Sequence, residues 1–514
     1  MMPWTRLLRG WQQRALLLTR QEGPDCLIMA TPAAGKTTFA LRVAHDQLDR
    51  GVVERVVIVC PTDHLRTQWT QAAAAVGLQL DPDLHGGRCV EARDYIGAVV
   101  TYHQVALKPA AFAVAPSRRR TLVVLDEIHH AADGREWGTG LREAFGQATY
   151  RLALSGTPFR SDDSPIPFVR YHQGVSRADF AYGYTQAIRD GVCRPMYFPS
   201  YEGDMAWRHQ GRDRRATFFE HLDPVSSKQR LKTALLSEAW VGQVVRDAHA
   251  RLLELRAAGH AHAGGLVVAM NQAHARAVAA LLGAVSGVVV PVAISDDPSS
   301  SATIKRFTET SAPWLVAVNM VSEGVDIPRL RIGVYATNVS TEMYFRQVVG
   351  RFVRMRPELG APQPAWLYLP KDPTLVDYAR AIEAERNHAI AIDADSEEEP
   401  VAPAVQREEG MGRGGSSFVP VSASARQDEL FAVRSLEGGV AVAEEVDTLA
   451  DQKARLREQH SRLVSECARA TGTGHREINL ELIKRVGGKI DTATVSQLER
   501  RIRLLASWRD RGCV

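Results

Sequence analysis

Cysteine is scarce in this chain, with six in 514 residues, and no two of them form a C-x-x-C pair. Cys26, Cys60, Cys89, Cys193, Cys467 and Cys513 are scattered, which argues against structural zinc, an iron–sulfur cluster or a disulfide scaffold and fits a reducing compartment. Long apolar runs are missing too. Near the N-terminus only Leu16-Leu-Leu18 stands out, short for a signal segment, and nothing later approaches the ~20 apolar residues of a membrane span. The expectation is a soluble, cytoplasmic protein with no membrane partner. Charge of one sign is also modest. The formal net charge is +4 and the pI near 8.7, which accommodates nucleic acid without demanding it. Arginine far outnumbers lysine, read first as genomic G+C bias and second as phosphate recognition, which a guanidinium fork serves better than an ammonium.

What is present is a series of short Val/Ile/Leu runs separated by helical patterns, in a chain long enough for two or three domains. The first series is Cys26–Ala30, Val56–Cys60, Ala98–Thr101, Leu122–Leu125 and Leu152–Leu154. The second is Leu266–Met270, Val288–Val292, Leu315–Val318, Ile332–Ala336 and Trp366–Leu369. Continuous apolar strands alternating with helices predict parallel sheets covered on both faces. Two α/β domains are therefore expected, over 1–222 and 223–395, joined within the polar, aromatic-rich stretch between Arg194 and Leu231. Ser396-Glu-Glu-Glu-Pro400 and Gly410-Met-Gly-Arg-Gly-Gly-Ser-Ser417 have linker composition, so 396–450 is expected to be a flexible tether. Over 451–514 helical periodicity returns, with Leu456, Leu463, Val464 and Cys467 on one face. Thr494-Val-Ser-Gln497 is a capping-box pattern ahead of Leu498, Ile502, Leu505 and Trp508. This predicts a small all-α C-terminal domain, with Arg455, Arg457, Arg500, Arg501 and Arg503 as exposed cations. There is no internal repeat.

The chemistry sits at strand ends. Ala30-Thr-Pro-Ala-Ala-Gly-Lys36, followed by Thr37 and Thr38, comes after an apolar strand and opens an amphipathic helix (Phe39, Ala40, Val43, Ala44, Leu48). In that context backbone N–H groups and a helix N-terminus hold phosphates, Lys36 reaches the β/γ-phosphates and Thr37 the Mg²⁺. Ala30 stands where the strict pattern has glycine. Asp126-Glu127-Ile128-His129 follows the buried run Leu122–Leu125, so its carboxylates fall at another strand end, where an open parallel sheet puts its ligand crevice. Further on, Gln347, Arg351 and Arg354 are spaced i, i+4 and i+7, which on a continuous helix sets them on one face.

Over about residues 6 to 370, in order, the chain resembles the DExH-box branch of the superfamily 2 helicases and translocases, and is more similar to repair-type and type III restriction-associated members than to the RNA-specific DEAD-box proteins. Leu8-Arg9-Gly10-Trp11-Gln12 is similar to the branch's adenine-reading glutamine motif, with Gly10 where proline is usual. Ala30 to Thr37 resembles motif I, Pro61-Thr62 and Thr101-Tyr102 motifs Ia and Ic, Asp126 to His129 motif II, and Ser155-Gly-Thr157 motif III. Val321-Ser-Glu-Gly-Val-Asp-Ile-Pro328 resembles motif V and Gln347 to Arg354 motif VI; the match to motif IV around Val268-Ala-Met-Asn271 is weak. Ile128 replaces the alanine of DEAH.

The resemblance implies two tandem RecA-like P-loop domains and an ATP-dependent DNA helicase or translocase using ATP and Mg²⁺. It places Thr31, Pro32, Ala33, Ala34, Gly35, Lys36, Thr37 and Thr38 on the phosphates, Gln12 on adenine, and Gly324 and Asp326 at the ribose side. Asp126, with Thr37 and Glu127, would hold the metal, and Glu127 would be the general base. Arg354, with Arg351 and Gln347, would supply the arginine finger from the second domain. Thr62, Thr101 and Ser322 would touch nucleic-acid phosphates, and His129, Ser155 and Thr157 would couple nucleotide state to domain closure.

Rival readings accompany these. Thr62 and Thr101 could instead be strand-end hydroxyls capping helices. Glu481-Leu-Ile-Lys484 has part of a nuclease signature but no upstream acidic partner, which favours a surface i, i+3 pair. An RNA helicase is the first alternative to DNA. A nucleic-acid-binding scaffold with a decayed ATPase is the second, disfavoured because Lys36, Glu127 and Arg354 are all present. The third is a motor subunit of a defence or restriction complex, which would take its nuclease from a partner; a replication or repair partner is the other kind considered. The residues do not specify an oligomeric state.

Overall fold

The buried Val/Ile/Leu runs form strands as their patterning predicts, and these strands build two sheets. The structure, a computed structural model, describes residues 4–84, 91–114, 116–132, 135–156, 166–172, 175–220, 222–294, 299–318, 327–356, 359–360, 363–392, 418–427, 449–487 and 489–511. Strands are numbered β1 (Asp25–Ala30), β2 (Arg55–Cys60), β3 (Leu80–Asp81), β4 (Gly97–Thr101), β5 (Thr121–Leu125), β6 (Tyr150–Ser155), β7 (Tyr171–His172), β8 (Val175–Ser176), β9 (Phe180–Tyr182), β10 (Met196–Tyr197), β11 (Ser200–Glu202), β12 (Asp204–His209), β13 (Arg212–Thr217), β14 (Gly264–Ala269), β15 (Val292–Ile294), β16 (Trp314–Val318), β17 (Leu330–Ala336), β18 (Ala365–Pro370), β19 (Phe418–Ala423) and β20 (Arg426–Gln427).

The chain divides into two compact units, one of Met1–Ala30, Gly35–Ala181 and Ala443–Val514, the other of Thr31–Ala34 and Tyr182–Val442. The first unit's sheet has the order β3-β4-β2-β5-β6-β1-β9, with β1 to β6 paired in parallel. Every residue of β2, β4, β5 and β6 is buried, as a sheet sandwiched between helices requires. The second unit's sheet runs β15-β16-β14-β17-β18-β11-β20, with β10 also on β18. These are tandem RecA-like α/β domains.

Apart from Thr31–Ala34, the second unit begins at Tyr182, well before the expected boundary at residue 222. Its early strands β10 and β11 pair with β18 from far along the chain, a long-range registry that local patterning does not carry. Part of the expected tether, 396–450, is also ordered sheet. β19 pairs antiparallel with β12, and β20 with β11. The run Val288–Val292 is a strand only from Val292, because Val288 and Val289 are 44% and 96% exposed after the helix ends at Gly287.

The C-terminal helices Leu449–Thr471, His475–Val486 and Val495–Arg511 enclose a core of Leu463, Val464, Cys467, Ile478, Leu482, Leu505 and Trp508. The Thr494–Gln497 capping box is made in both directions. This module belongs to the first unit. Lys453 is fully buried, its amine 3.3 Å from Asp94 and 4.2 Å from the centre of the Tyr95 ring. Asp94 also accepts the Val495 N–H at 2.8 Å, so one carboxylate holds two helices. Of the expected exposed cations, Arg455, Arg500 and Arg503 are exposed. Arg501 is 1% exposed and donates to the Gly487 carbonyl, and Arg457 pairs with Asp83. Glu481 makes surface pairs with Lys484 and Arg485.

Removing one partner of a buried ion pair strands the other charge, whereas a hydrophobic replacement of the buried cation does not. Asp94→Ala should therefore weaken docking of the module by about 3 kcal/mol, near the low end for such pairs because Asp94 is 22% exposed. Lys453→Met should cost clearly less. Amide hydrogen exchange over residues 449–471 reads the difference, and equal losses would remove the electrostatic account.

Candidate nucleotide site

The loop after β1 is built around Gly35, which precedes the helix Lys36–Asp49 with φ 93° and ψ 37°. A Cβ there would stand 2.9 Å from Gln12 Nε2, so both backbone and space require glycine. Ala33 in the same loop also has positive φ, 68°. The Lys36 amine donates to the Ala30 carbonyl at 3.3 Å and lies 2.9 Å from Glu127 Oε1. Glu127 itself has φ 48°, a conformation non-glycine residues seldom adopt and that persists only where its surroundings over-determine it. Its second oxygen accepts the Gly156 N–H at 3.1 Å and stands 3.6 Å from His129 Nδ1. His129 Nδ1 is in turn 3.4 Å from Ser155 Oγ. Contacts thus run from Ser155 at the end of β6, through His129 and Glu127 after β5, to Lys36 after β1.

Asp126 is held from three sides. Its Oδ2 accepts Trp69 Nε1–H at 2.8 Å, its carbonyl accepts the Tyr102 hydroxyl at 2.9 Å, and its N–H donates to the Val59 carbonyl at 2.9 Å. Burial, then repulsion from Glu127, raises the Asp126 pKa. Burial would raise Glu127 as well, but the adjacent Lys36 and His129 outweigh it and hold that carboxylate below its usual range. Two neighbouring carboxylates are so driven apart, with Glu127 firmly anionic. Ile128 is fully buried, so the position where the motif has alanine is part of the core.

Thr31 is 9% exposed, and Pro32, Thr37 and Thr38 are half-buried in the loop and first helical turn. Gln12, placed on adenine by the resemblance, is 2% exposed; its amide oxygen accepts the Arg9 N–H at 2.8 Å and its amide nitrogen donates to the Gly35 carbonyl at 2.9 Å. In this structure it braces the loop. Thr62 and Thr101 are helix N-caps, accepting from Leu65 and Gln104 N–H groups, and Thr101 is 5% exposed. The capping alternative describes both. Thr157, Ser322, Gly324 and Asp326 lie outside the described residues.

Motif VI, in the second unit, departs from the expected helix. The helix Glu342–Val349 carries Gln347 but ends before Arg351 and Arg354. The chain leaves the helix at Val349, and Arg354 instead makes an antiparallel bridge with Cys193, where the Arg194 N–H donates to the Val353 carbonyl at 2.7 Å. Burial lowers the Arg354 pKa to about 10, which leaves it cationic at neutral pH.

Sequence reasoning gives no role to Trp69, the Tyr102 hydroxyl or the Gly156 N–H. Trp69 reaches Asp126 from a different helix, and no local spacing signals that contact.

A phosphate-type loop and an acidic strand-end box on one parallel sheet, followed by a second such sheet, define a tandem RecA-like ATPase fold. Residues 6–160 match the family model described as type III restriction enzyme, res subunit. Uncharacterized protein Rv2917 of Mycobacterium tuberculosis is 45% identical over 436 residues, covering 82% of this chain and 72% of its own length. The DNA 3'-5' translocase XPB2 of Sulfurisphaera tokodaii is 21% identical over 373 residues, covering 68% of this chain and 79% of its own. Among solved structures, a fragment assigned to the HsdR subunit of a type I restriction enzyme from Vibrio vulnificus shares the fold, with a TM-score of 0.51 at 18% identity, over 73% of this chain and 66% of that one. The chain belongs to one family with the mycobacterial Rv2917 protein, and its fold is of the superfamily 2 helicase type. Among the described residues no helix is long and apolar enough to cross a membrane.

Proposed function

We propose that this protein is a nucleic-acid-dependent ATPase that couples hydrolysis to movement along DNA or to its unwinding. The observation that carries the reading is the 2.9 Å contact between the Lys36 amine and the Glu127 carboxylate at the C-terminal edge of the first sheet. Phosphate oxygens entering the loop would compete for Lys36 and release Glu127, whose anionic state suits it to take a proton from the attacking water. The residues fit Mg²⁺. Trp69 occupies one oxygen of Asp126, and the other, with the Thr37 hydroxyl, offers the hard oxygen ligands the ion takes alongside phosphates. When bound, the ion would neutralise phosphate charge.

The proposal extends to the second domain, from which Arg354, with Arg351 and Gln347, would meet the charge developing on the γ-phosphate. Gly324 and Asp326 would lie on the ribose side, and Gln12 would read adenine only by exchanging its present bonds. Ser322, with the hydroxyl protons of Thr62 and Thr101, would contact nucleic-acid phosphates, and His129, Ser155 and Thr157 would relay nucleotide state. DNA is favoured over RNA by the resemblance and by the DNA translocation for which the XPB2 relative is named.

ATP hydrolysis by the full chain should rise on adding single-stranded DNA and less on adding RNA of equal length. Unwinding of 3′- and 5′-tailed duplexes would then give polarity. Equal indifference to both nucleic acids would overturn the proposal. The restriction-enzyme description of the matched family favours a second reading, a motor subunit that works with a nuclease partner. A pull-down recovering a nuclease with the chain would support it.

A further inference from the structure

In the second unit β12 and β13 form a hairpin whose central strand alternates strictly. Met205, Trp207 and His209 are buried, while Asp204 and Arg208 are exposed. The buried side is locked: Gln229 accepts from Trp207 Nε1 at 3.0 Å, and its amide nitrogen lies 2.9 Å from His209 Nδ1. β19 covers one side of β12, which leaves β13 at the edge of the three-stranded sheet. Gln210 and Gly211 close the hairpin with φ 50° and 74°, the double left-handed turn that matches strand twist.

The edge strand carries four consecutive exposed residues, Arg212, Asp213, Arg214 and Arg215. Arg208 pairs with Asp213, Arg215 with Asp204, and Arg214 donates to Ser226 Oγ at 2.6 Å. Arg212 makes no ion pair among the described residues. The carboxylate pairings are exposed and therefore weak, so phosphates can compete for the same guanidinium groups. Just past the strand, Phe219 is 72% exposed, with the Lys371 amine 4.2 Å from its ring centre. Lys371 follows β18 at the C-terminal edge of the second parallel sheet, the edge on which such sheets bind ligands. Charge alone would blunt a sheet edge against pairing; an exposed aromatic ring beside a lysine has no place in that account.

We propose that this rigid hairpin and Phe219 form a binding surface for single-stranded nucleic acid, the arginines of β13 on its phosphates and Phe219 stacked on a base. Alternate residues of a strand are ~7 Å apart, so Arg212 and Arg214 can grip separate points of a backbone. Arginine and aromatic side chains together are the usual means of sequence-tolerant single-strand binding. The inference rests on the proposed nucleic-acid-dependent activity and adds a surface to it that no helicase motif of the chain supplies.

The test measures binding of a fluorescent oligothymidine by the full chain as salt is varied. Phe219→Ala should weaken binding roughly 5- to 100-fold, the range for loss of one stacked base. Arg212→Gln with Arg214→Gln should flatten the dependence of log Kd on log salt by about 0.7 for each phosphate no longer held. Unchanged thermal melting of each variant assigns the losses to the surface and not to folding. If the native chain binds the oligonucleotide and the variants match it in affinity and slope, the hairpin surface is overturned while the proposed function stands; an acidic protein partner on this face would give that result. If the native chain binds no nucleic acid at all, both fall.

Discussion

Glu127→Gln should leave nucleotide binding intact and lower hydrolysis by roughly 10²–10⁴-fold, the usual weight of a general base. The substitution keeps the side chain's size and its ability to accept the Gly156 N–H, so the left-handed backbone at residue 127 has no new reason to relax. It removes two things: the capacity to take a proton, and the negative charge 2.9 Å from the Lys36 amine. Loss of the second frees Lys36 for phosphate, so affinity for ATP should hold or improve while turnover collapses. Single-turnover hydrolysis beside a fluorescent-nucleotide titration separates the two effects. Turnover within a few-fold of the native rate would remove Glu127 from the mechanism. A joint loss of binding and hydrolysis would make it a structural brace of the loop instead.

Much of the sheet framework could be read directly because fully buried parallel strands leave continuous apolar runs, as in Val56–Cys60 and Leu122–Leu125. The loop and the carboxylate box were legible for the same reason, since each is fixed by the strand that ends just before it. Contacts closing over long sequence distances were not. Trp69 on Asp126, Gln12 on Gly35, and Lys453 on Asp94 join segments whose local patterns are those of ordinary helices. The hairpin β12–β13 escaped because its charged edge, Arg212 to Arg215, has no apolar alternation, and its other neighbour, β19, lies beyond an acidic stretch that reads as tether. The helical spacing of Gln347, Arg351 and Arg354 misled, because the helix stops at Val349 and Arg354 is drawn into a bridge with Cys193, a partner from far earlier in the chain.

Arg354→Ala should cut nucleic-acid-stimulated hydrolysis by roughly 10³-fold or more, the lower end for an arginine finger, with a milder effect on ATP affinity. A finger must be rigid, cationic and spent on the transition state. The backbone at Arg354 is fixed by its bridge to Cys193 and by the adjoining 2.7 Å hydrogen bond from Arg194 to Val353, neither of which depends on the side chain. The truncation therefore removes the guanidinium and leaves its platform. Burial lowers the pKa to about 10, so the group stays charged across the neutral range. Arg354→Lys should restore little, because an ammonium lacks the planar fork that spans two phosphate oxygens. The partial burial of the group also predicts that adding free guanidinium to Arg354→Ala rescues poorly, since the ion must leave water to reach the site. The measurement is steady-state hydrolysis with saturating single-stranded DNA, together with nucleotide affinity for each variant. If Arg354→Ala keeps stimulated turnover within tenfold of the native protein, charge on the γ-phosphate is met by another group, and Arg351 is the next to replace.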